Sequence, residues 1–240
     1  MIEVKNITKK FSNRTAVHPI SFHVGLGEVV CLLGPNGAGK STTMRMLTGY
    51  LTPNTGQILI GAYDLALEPV AARRKIGYLP ESAPLYSDMT VKEFLLFMAN
   101  IRGIHGPRAL QRVYELCELM DIKNVVNQVI DTLSKGYRQR VGIAQAIVHD
   151  PEVLILDEPT DGLDPNQKIM VRDLIRHMGK EKVIIFSTHI LEEVMAVANR
   201  VIILSEGRIK NDEAIEEILT RGSLEETFRT LTSKQSTIGQ

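Results

Sequence analysis

Three apolar runs stand out in the second half of the chain: Val153-Leu-Ile-Leu156, Val183-Ile-Ile-Phe-Ser187 and Val201-Ile-Ile-Leu204. Runs with no polar alternation predict strands covered on both faces, as in a mostly parallel sheet. Helical spacing of apolar positions at about 166–179 and 190–198 fills the gaps, and strand–helix alternation of this kind predicts an α/β fold. Residues 1–33 read as a β region, with short alternation at Ile2–Lys5 and Ser21–Val24 and an apolar run from Glu28 to Leu33. A short helix from Thr42 to Gly49 and a turn cluster at Leu51–Gly56 then lead to two further predicted strands, Gln57–Ile60 and Lys75–Leu79.

The texture changes between Pro80 and about Asp150. Helical periods cover 91–102 (Phe94, Leu95, Met98, Ile101) and 107–120 (Leu110, Val113, Leu116, Leu119, Met120), and strand signals are scarce. This predicts an all-α insertion closed by a helix from about Lys135 to His149. The expected organisation is one domain over 1–220, with a core of 1–80 and 146–212 and a helical subdomain at about 81–145. From Asp212 the chain reads as polar and weakly helical, leaving a C-terminal tail at 221–240 whose low-complexity end, Ser233–Gln240, is expected to fray. No internal repeat is present.

Composition narrows the class. At 240 residues and 44% hydrophobic, the chain can bury a substantial core. Lys plus Arg and Asp plus Glu are both 28, and this zero net charge argues against a nucleic-acid partner, which calls for a basic stripe. Cys31 and Cys117 lie far apart in apolar settings and read as core thiols of a reducing compartment. The start, Met-Ile-Glu-Val-Lys-Asn, has no signal-peptide apolar region, and no apolar run approaches the ~20 residues that span a bilayer. The expectation is a cytosolic chain that reaches a membrane only through a partner.

The chemistry concentrates in Gly34-Pro35-Asn36-Gly37-Ala38-Gly39-Lys40-Ser41, with Thr42 next, directly after the apolar run Val29–Leu33. Strand, glycine loop and helix start form a phosphate cradle: glycines let backbone N–H groups turn inward, and the helix adds its positive end. In that setting Lys40 reaches β- and γ-phosphates and the Ser41 hydroxyl ligates Mg²⁺. An acidic pair, Asp157-Glu158, ends the apolar run Val153–Leu156. Asp157 can hold Mg²⁺ beside the cradle, and Glu158 can take a proton from an attacking water. The chain is therefore expected to bind a nucleoside triphosphate.

Over about residues 1–230 these motifs resemble the nucleotide-binding subunits of ABC transporters. Leu133-Ser134-Lys135-Gly136-Tyr137-Arg138-Gln139-Arg140 looks like the family's signature motif, usually Leu-Ser-Gly-Gly-Gln. There Ser134 and the Gly136 backbone cap a helix N-terminus that can face a γ-phosphate. The resemblance implies a homodimer, or a pseudo-symmetric dimer, with ATP sandwiched between subunits. Asp161-Gly-Leu-Asp164 resembles the loop that crosses the dimer interface, His189 the histidine that senses the γ-phosphate, and Phe11 the aromatic that stacks on adenine. Glu81 stands where most members have a glutamine that links Mg²⁺ to the transporter contact. Lys135 and Tyr137 replace Gly and Gln in the signature, and Asp161 replaces the more frequent Ser.

The implied fold is a P-loop NTPase core with a mostly parallel sheet, an antiparallel β subdomain and an inserted α-helical subdomain. The implied function is ATP hydrolysis, with ATP and Mg²⁺, for a membrane-spanning permease on a separate chain, at the cytoplasmic face of the membrane. Tyr-Leu-Pro-Glu81 and the signature look most like ABC-2-type exporters of the multidrug and gliding-motility kinds. A soluble ATPase acting on ribosomes or DNA, and an importer ATPase, remain the alternatives. Leu85, Tyr86, Phe94, Leu95, Phe97 and Met98 supply more large apolar surface than one small lobe needs, and a groove there is expected to receive the permease.

Overall fold

The computed structural model describes residues 1–233, so the expected fraying end lies outside the described residues from position 234 on. A hairpin of β1 (Ile2–Phe11) and β2 (Arg14–Val24) opens the chain, followed by β3 (Val29–Leu33) and α1 (Lys40–Leu47). Next come β4 (Thr55–Ile60), β5 (Tyr63–Asp64), α2 (Pro69–Arg74) and β6 (Ile76–Leu79). The helices α3 (Val91–Ile101), α4 (Gly106–Leu119) and α5 (Lys135–Ala146) then interrupt the strand–helix alternation. It resumes with β7 (Val153–Asp157), α6 (Pro165–Met178), β8 (Val183–Thr188), α7 (Leu191–Val197), β9 (Arg200–Ser205) and β10 (Arg208–Ala214), and ends in α8 (Ile215–Arg221) and α9 (Leu224–Thr232).

The apolar runs become neighbours in one six-stranded sheet, β10-β9-β3-β8-β7-β6. All its neighbours pair in parallel except β10, which returns antiparallel on β9. Because side chains alternate across a strand, each run feeds two cores. Cys31, Leu156 and Phe186 face the core shared with α3–α9, whereas Leu32, Ile155 and Ile185 face the one shared with α1 and a second sheet. That second sheet is antiparallel, β2-β1-β4-β5. The fold is thus an α/β P-loop core with a mostly parallel sheet, an antiparallel β layer and a helical insertion, as the sequence predicts. Both cysteines are free and buried, and burial pushes the Cys31 thiol pKa up.

Several elements differ from expectation. β2 starts at Arg14 instead of Ser21; Pro19 hides the pattern and is tolerated because β2 is an edge strand, where an N–H can be spared. The charged segment Arg208-Ile-Lys-Asn-Asp-Glu-Ala is strand β10, closed onto β9 by the two-residue turn Glu206-Gly207, both at positive φ. Its charges suit a sheet edge, and Arg200 clamps Asp212 by two hydrogen bonds of 2.7 and 2.9 Å. The segment after β10, read as weakly helical, does form helix, in two pieces that bury Ile215, Ile218 and Leu224 in the core. Finally, α5 stops at Ala146 rather than continuing to His149, ahead of Asp150 at φ +52° and Pro151, which disfavours helix in the residue before it.

Candidate functional site

Glycine is required at two points between β3 and α1. A Cβ on Gly34 would lie 2.3 Å from the Leu204 carbonyl oxygen, so β9 closes directly over it. Gly39, the residue that caps α1, has φ +102°, a conformation L side chains resist. The loop so formed lets Lys40 fold back on itself: its Nζ donates to the Gly34 carbonyl at 2.7 Å and the Pro35 carbonyl at 3.4 Å. No side chain caps α1, which leaves the first N–H groups of the helix as unpaired donors.

Residues 35–42 line a cleft of about 1200 Å³, together with Phe11, Arg14, Glu81, Glu158, Gly207 and Thr232. Gly34 is buried beneath the loop. Phe11 is 46% exposed, on the tight β1–β2 turn opposite Arg14, with Lys9 Nζ 5.5 Å from its ring centre. The cleft therefore offers an aromatic face, a row of backbone donors and a buried cation.

At the back of the cleft the ends of β7 and β8 supply acids and hydroxyls. Asp157 is 1% exposed; Ser187 Oγ donates to its Oδ1 at 2.5 Å and Ser41 Oγ at 3.3 Å. Glu158 leaves the strand path at φ +49°, a conformation a non-glycine residue holds at a cost of ~1–3 kcal/mol. The Glu158 N–H donates to Ser187 Oγ at 3.1 Å. Its Oε1 lies 3.9 Å from Lys40 Nζ and 3.1 Å from His189 Nδ1. A cation, a carboxylate and an imidazole are thus in series, with the carboxylate mostly buried.

Ser134, Gly136 and Asp164 lie elsewhere and do not line the cleft. Ser134 caps α5 through the Tyr137 N–H at 3.3 Å. Asp164 caps α6 in a reciprocal box with Gln167. A Cβ on Gly136 would fall 2.5 Å from Gln167 Oε1, so the two helix starts touch. Tyr137 is absorbed structurally: Arg140 stacks 4.3 Å from its ring centre, and Asn124 donates to its hydroxyl at 2.7 Å.

Two contributors were not singled out in the sequence. Ser187 bridges Asp157 and Glu158, and the available signal was a polar pair, Ser187-Thr188, ending an apolar strand. Gln139 is buried on α5 and donates to the Pro159 carbonyl at 3.1 Å, tying that helix to the segment after Glu158. Its signal was a polar residue one turn beyond Lys135 on a packed helix.

The sequence pattern of the ABC transporter family matches residues 17–161. The Nod factor export ATP-binding protein I of Paraburkholderia xenovorans (strain LB400) is 36% identical over 208 residues, 86% of this chain and 68% of that protein. A solved ATP-binding subunit of an ABC transporter superposes with a TM-score of 0.89 at 31% identity, covering 97% of this chain and 100% of that one. A dimeric ATP-binding cassette in a post-hydrolysis state, bound to ADP and Pi, superposes at 0.84 with 25% identity, covering 90% and 99%.

Proposed function

The chain belongs to the ABC transporter family as an ATP-binding, ATP-hydrolysing subunit, and from that premise we propose that it powers export through a separate membrane-spanning permease. ATP closes between two copies of the chain. Lys40 and the N–H groups of 36–42 hold the phosphates, and the Phe11 ring stacks on adenine. Glu158 takes the proton of the attacking water, with His189 orienting its carboxylate and sensing the γ-phosphate. Ser134 and the Gly136 N–H of the second copy complete the γ-phosphate cage, where preorganised donors stabilise charge that develops in the transition state. Asp164 holds the start of α6 at that interface. The export direction takes its support from the relative that serves Nod factor export.

The donor set suits Mg²⁺. Asp157 is buried with two hydroxyls as partners, and Glu81 lines the same cleft. No group of three or more His, Cys, Asp or Glu that could cage a metal exists among the described residues. Mg²⁺ needs none, since it keeps waters and takes one or two carboxylates plus substrate phosphates. Ser41, Asp157 and Glu81 would hold it, and when bound it neutralises charge on the β- and γ-phosphate oxygens.

The observation that carries this reading is the position of Glu158, beside Asp157 and between Lys40 and His189. Glu158→Gln is expected to retain ATP binding, lower turnover by ~10²–10⁴, and accumulate an ATP-bound dimer on size exclusion. Hydrolysis at the wild-type rate would remove Glu158 from the role of base.

No helix among the described residues is long and apolar enough to cross a membrane; in the proposed assembly the permease supplies the membrane contact, with this chain at its cytoplasmic face. Of the residues expected at the groove, Phe94 and Leu95 are core and Leu85 and Met98 pack partly against it. Tyr86 and Phe97 are 49% and 37% exposed and pack edge-on at 5.5 Å between ring centres. This aromatic pair, whose Tyr86 follows Glu81 by five residues, is the proposed seat for a short permease helix. Tyr86→Asp should leave melting temperature and ATP binding unchanged while reducing co-purification with the permease; full co-purification places the seat elsewhere.

A further inference from the structure

Two residues that depart from the family pattern meet each other. Lys135 Nζ lies 2.7 Å from Asp161 Oδ2, joining the first turn of α5 to the tight turn after β7. The lysine arm crosses the bare Cα of Gly162, where a Cβ would fall 2.5 Å from Lys135 Cδ and Cε and 2.7 Å from Nζ. Lysine, aspartate and glycine thus form one fitted unit, alongside the contact between Gly136 and Gln167.

That unit is weakly held. The side chains of Lys135 and Asp161 are 62% and 53% exposed, and exposed ion pairs contribute little. The first turn of α5 carries no acid, so Lys135 sits at the positive end of the helix, where a cation is disfavoured. The lysine does hold the Asp161 carboxyl below its usual pKa. Lys135 lies between Ser134 and Gly136, the two groups assigned above to the γ-phosphate of ATP held by a second copy. A phosphate enclosed at an interface is a stronger partner for an ammonium than an exposed carboxylate.

We propose that Lys135 is a further γ-phosphate-binding residue acting in trans, with Asp161 as the counter-ion it exchanges for the phosphate when two copies close on ATP. This assignment rests on the two-copy reading above. The family pattern, with Gly at this position, lacks the cation; this chain adds it together with the carboxylate that holds it between encounters.

The test uses the full chain with Glu158→Gln and measures the ATP-driven dimer dissociation constant by analytical ultracentrifugation. Adding Lys135→Ala should weaken the dimer roughly tenfold, the loss of one charge-assisted contact. Adding Asp161→Ala should tighten it, by at most about fivefold, because it releases the lysine from an exposed pair. Lys135→Arg should stay close to the parent. A purely structural tie between α5 and the Asp161 turn predicts that both alanine variants shift the constant in the same direction. Either that outcome or no shift overturns the proposal. If the Glu158→Gln parent itself stays monomeric with ATP, the sandwich fails first, a result distinct from a dimer indifferent to Lys135.

Discussion

The cleft around Lys40 and the cluster around Lys135 contain the same kinds of group: a lysine, a carboxylate, a glycine-dependent turn and a helix N-terminus. Their physical settings are opposite. Lys40, the first residue of α1, and Asp157, the last of β7, are 6% and 1% exposed, and they are carried by β3 and β7, every residue of which is buried. Lys135 and Asp161 are exposed, on a helix start and a turn. In the cleft, low exposure strengthens each interaction and the sheet fixes its geometry, so the polar partners lie within one chain. At the Lys135 cluster, solvent weakens each interaction and leaves the groups free to exchange partners. A buried site of this kind has its own polar groups fixed before anything docks; an exposed one takes its final partners from what docks on it.

The sharpest way to break that contrast is Gly34→Ala. Its Cβ would stand 2.3 Å from the Leu204 backbone oxygen, and neither β9 nor the loop can move aside without disturbing the sheet. Overpacking of this kind costs ~1–3 kcal/mol or more, a fall in melting temperature of roughly 3–10 °C for a chain of this size. Nucleotide affinity should fall with it, because the loop donors shift. A wild-type melting temperature, read by differential scanning calorimetry, would mean that the cleft is as pliable as the exposed cluster.

The contrast also explains what the sequence discloses. The phosphate loop is contiguous, Gly34 to Ser41, and Asp157-Glu158 closes an apolar run, so neither depends on knowing what folds beside it. The contacts that hold these residues in place depend on that knowledge. Ser41 and Ser187 reach Asp157 from 116 and 30 positions away, and the positive φ of Glu158 leaves no mark in residue type. The central strands were legible because burial on both faces removes polar alternation; β10 was not, because its charges answer to a sheet edge. Lys135 and Asp161 were each visible as departures from the signature and interface-loop patterns. That they pair with each other emerged only when α5 was seen to lie against the turn at 161–162.

The gentler probe of the contrast is Gly162→Ala. Its Cβ would meet the Lys135 arm at 2.5 Å, against 2.3 Å from a Gly34 Cβ to a carbonyl oxygen, but here the obstacle is the far end of a flexible side chain that can swing into solvent. What remains is the left-handed backbone at φ +71°, which costs an alanine ~1–2 kcal/mol, plus the small worth of the displaced ion pair. We expect a fall of roughly 2–6 °C in melting temperature, with nucleotide affinity of the Lys40 cleft unchanged. The ion-pair share has a pH signature. The folded-state pKa of Asp161 is depressed by Lys135, so its stabilisation is present above the unfolded value of ~3.9 and fades as pH falls through the folded value. The gap between wild type and Gly162→Ala should therefore narrow on acidification below about pH 4. A gap that stays constant would assign the whole effect to backbone strain, and a fall as large as that of Gly34→Ala would show the Lys135 seat to be as rigid as the cleft.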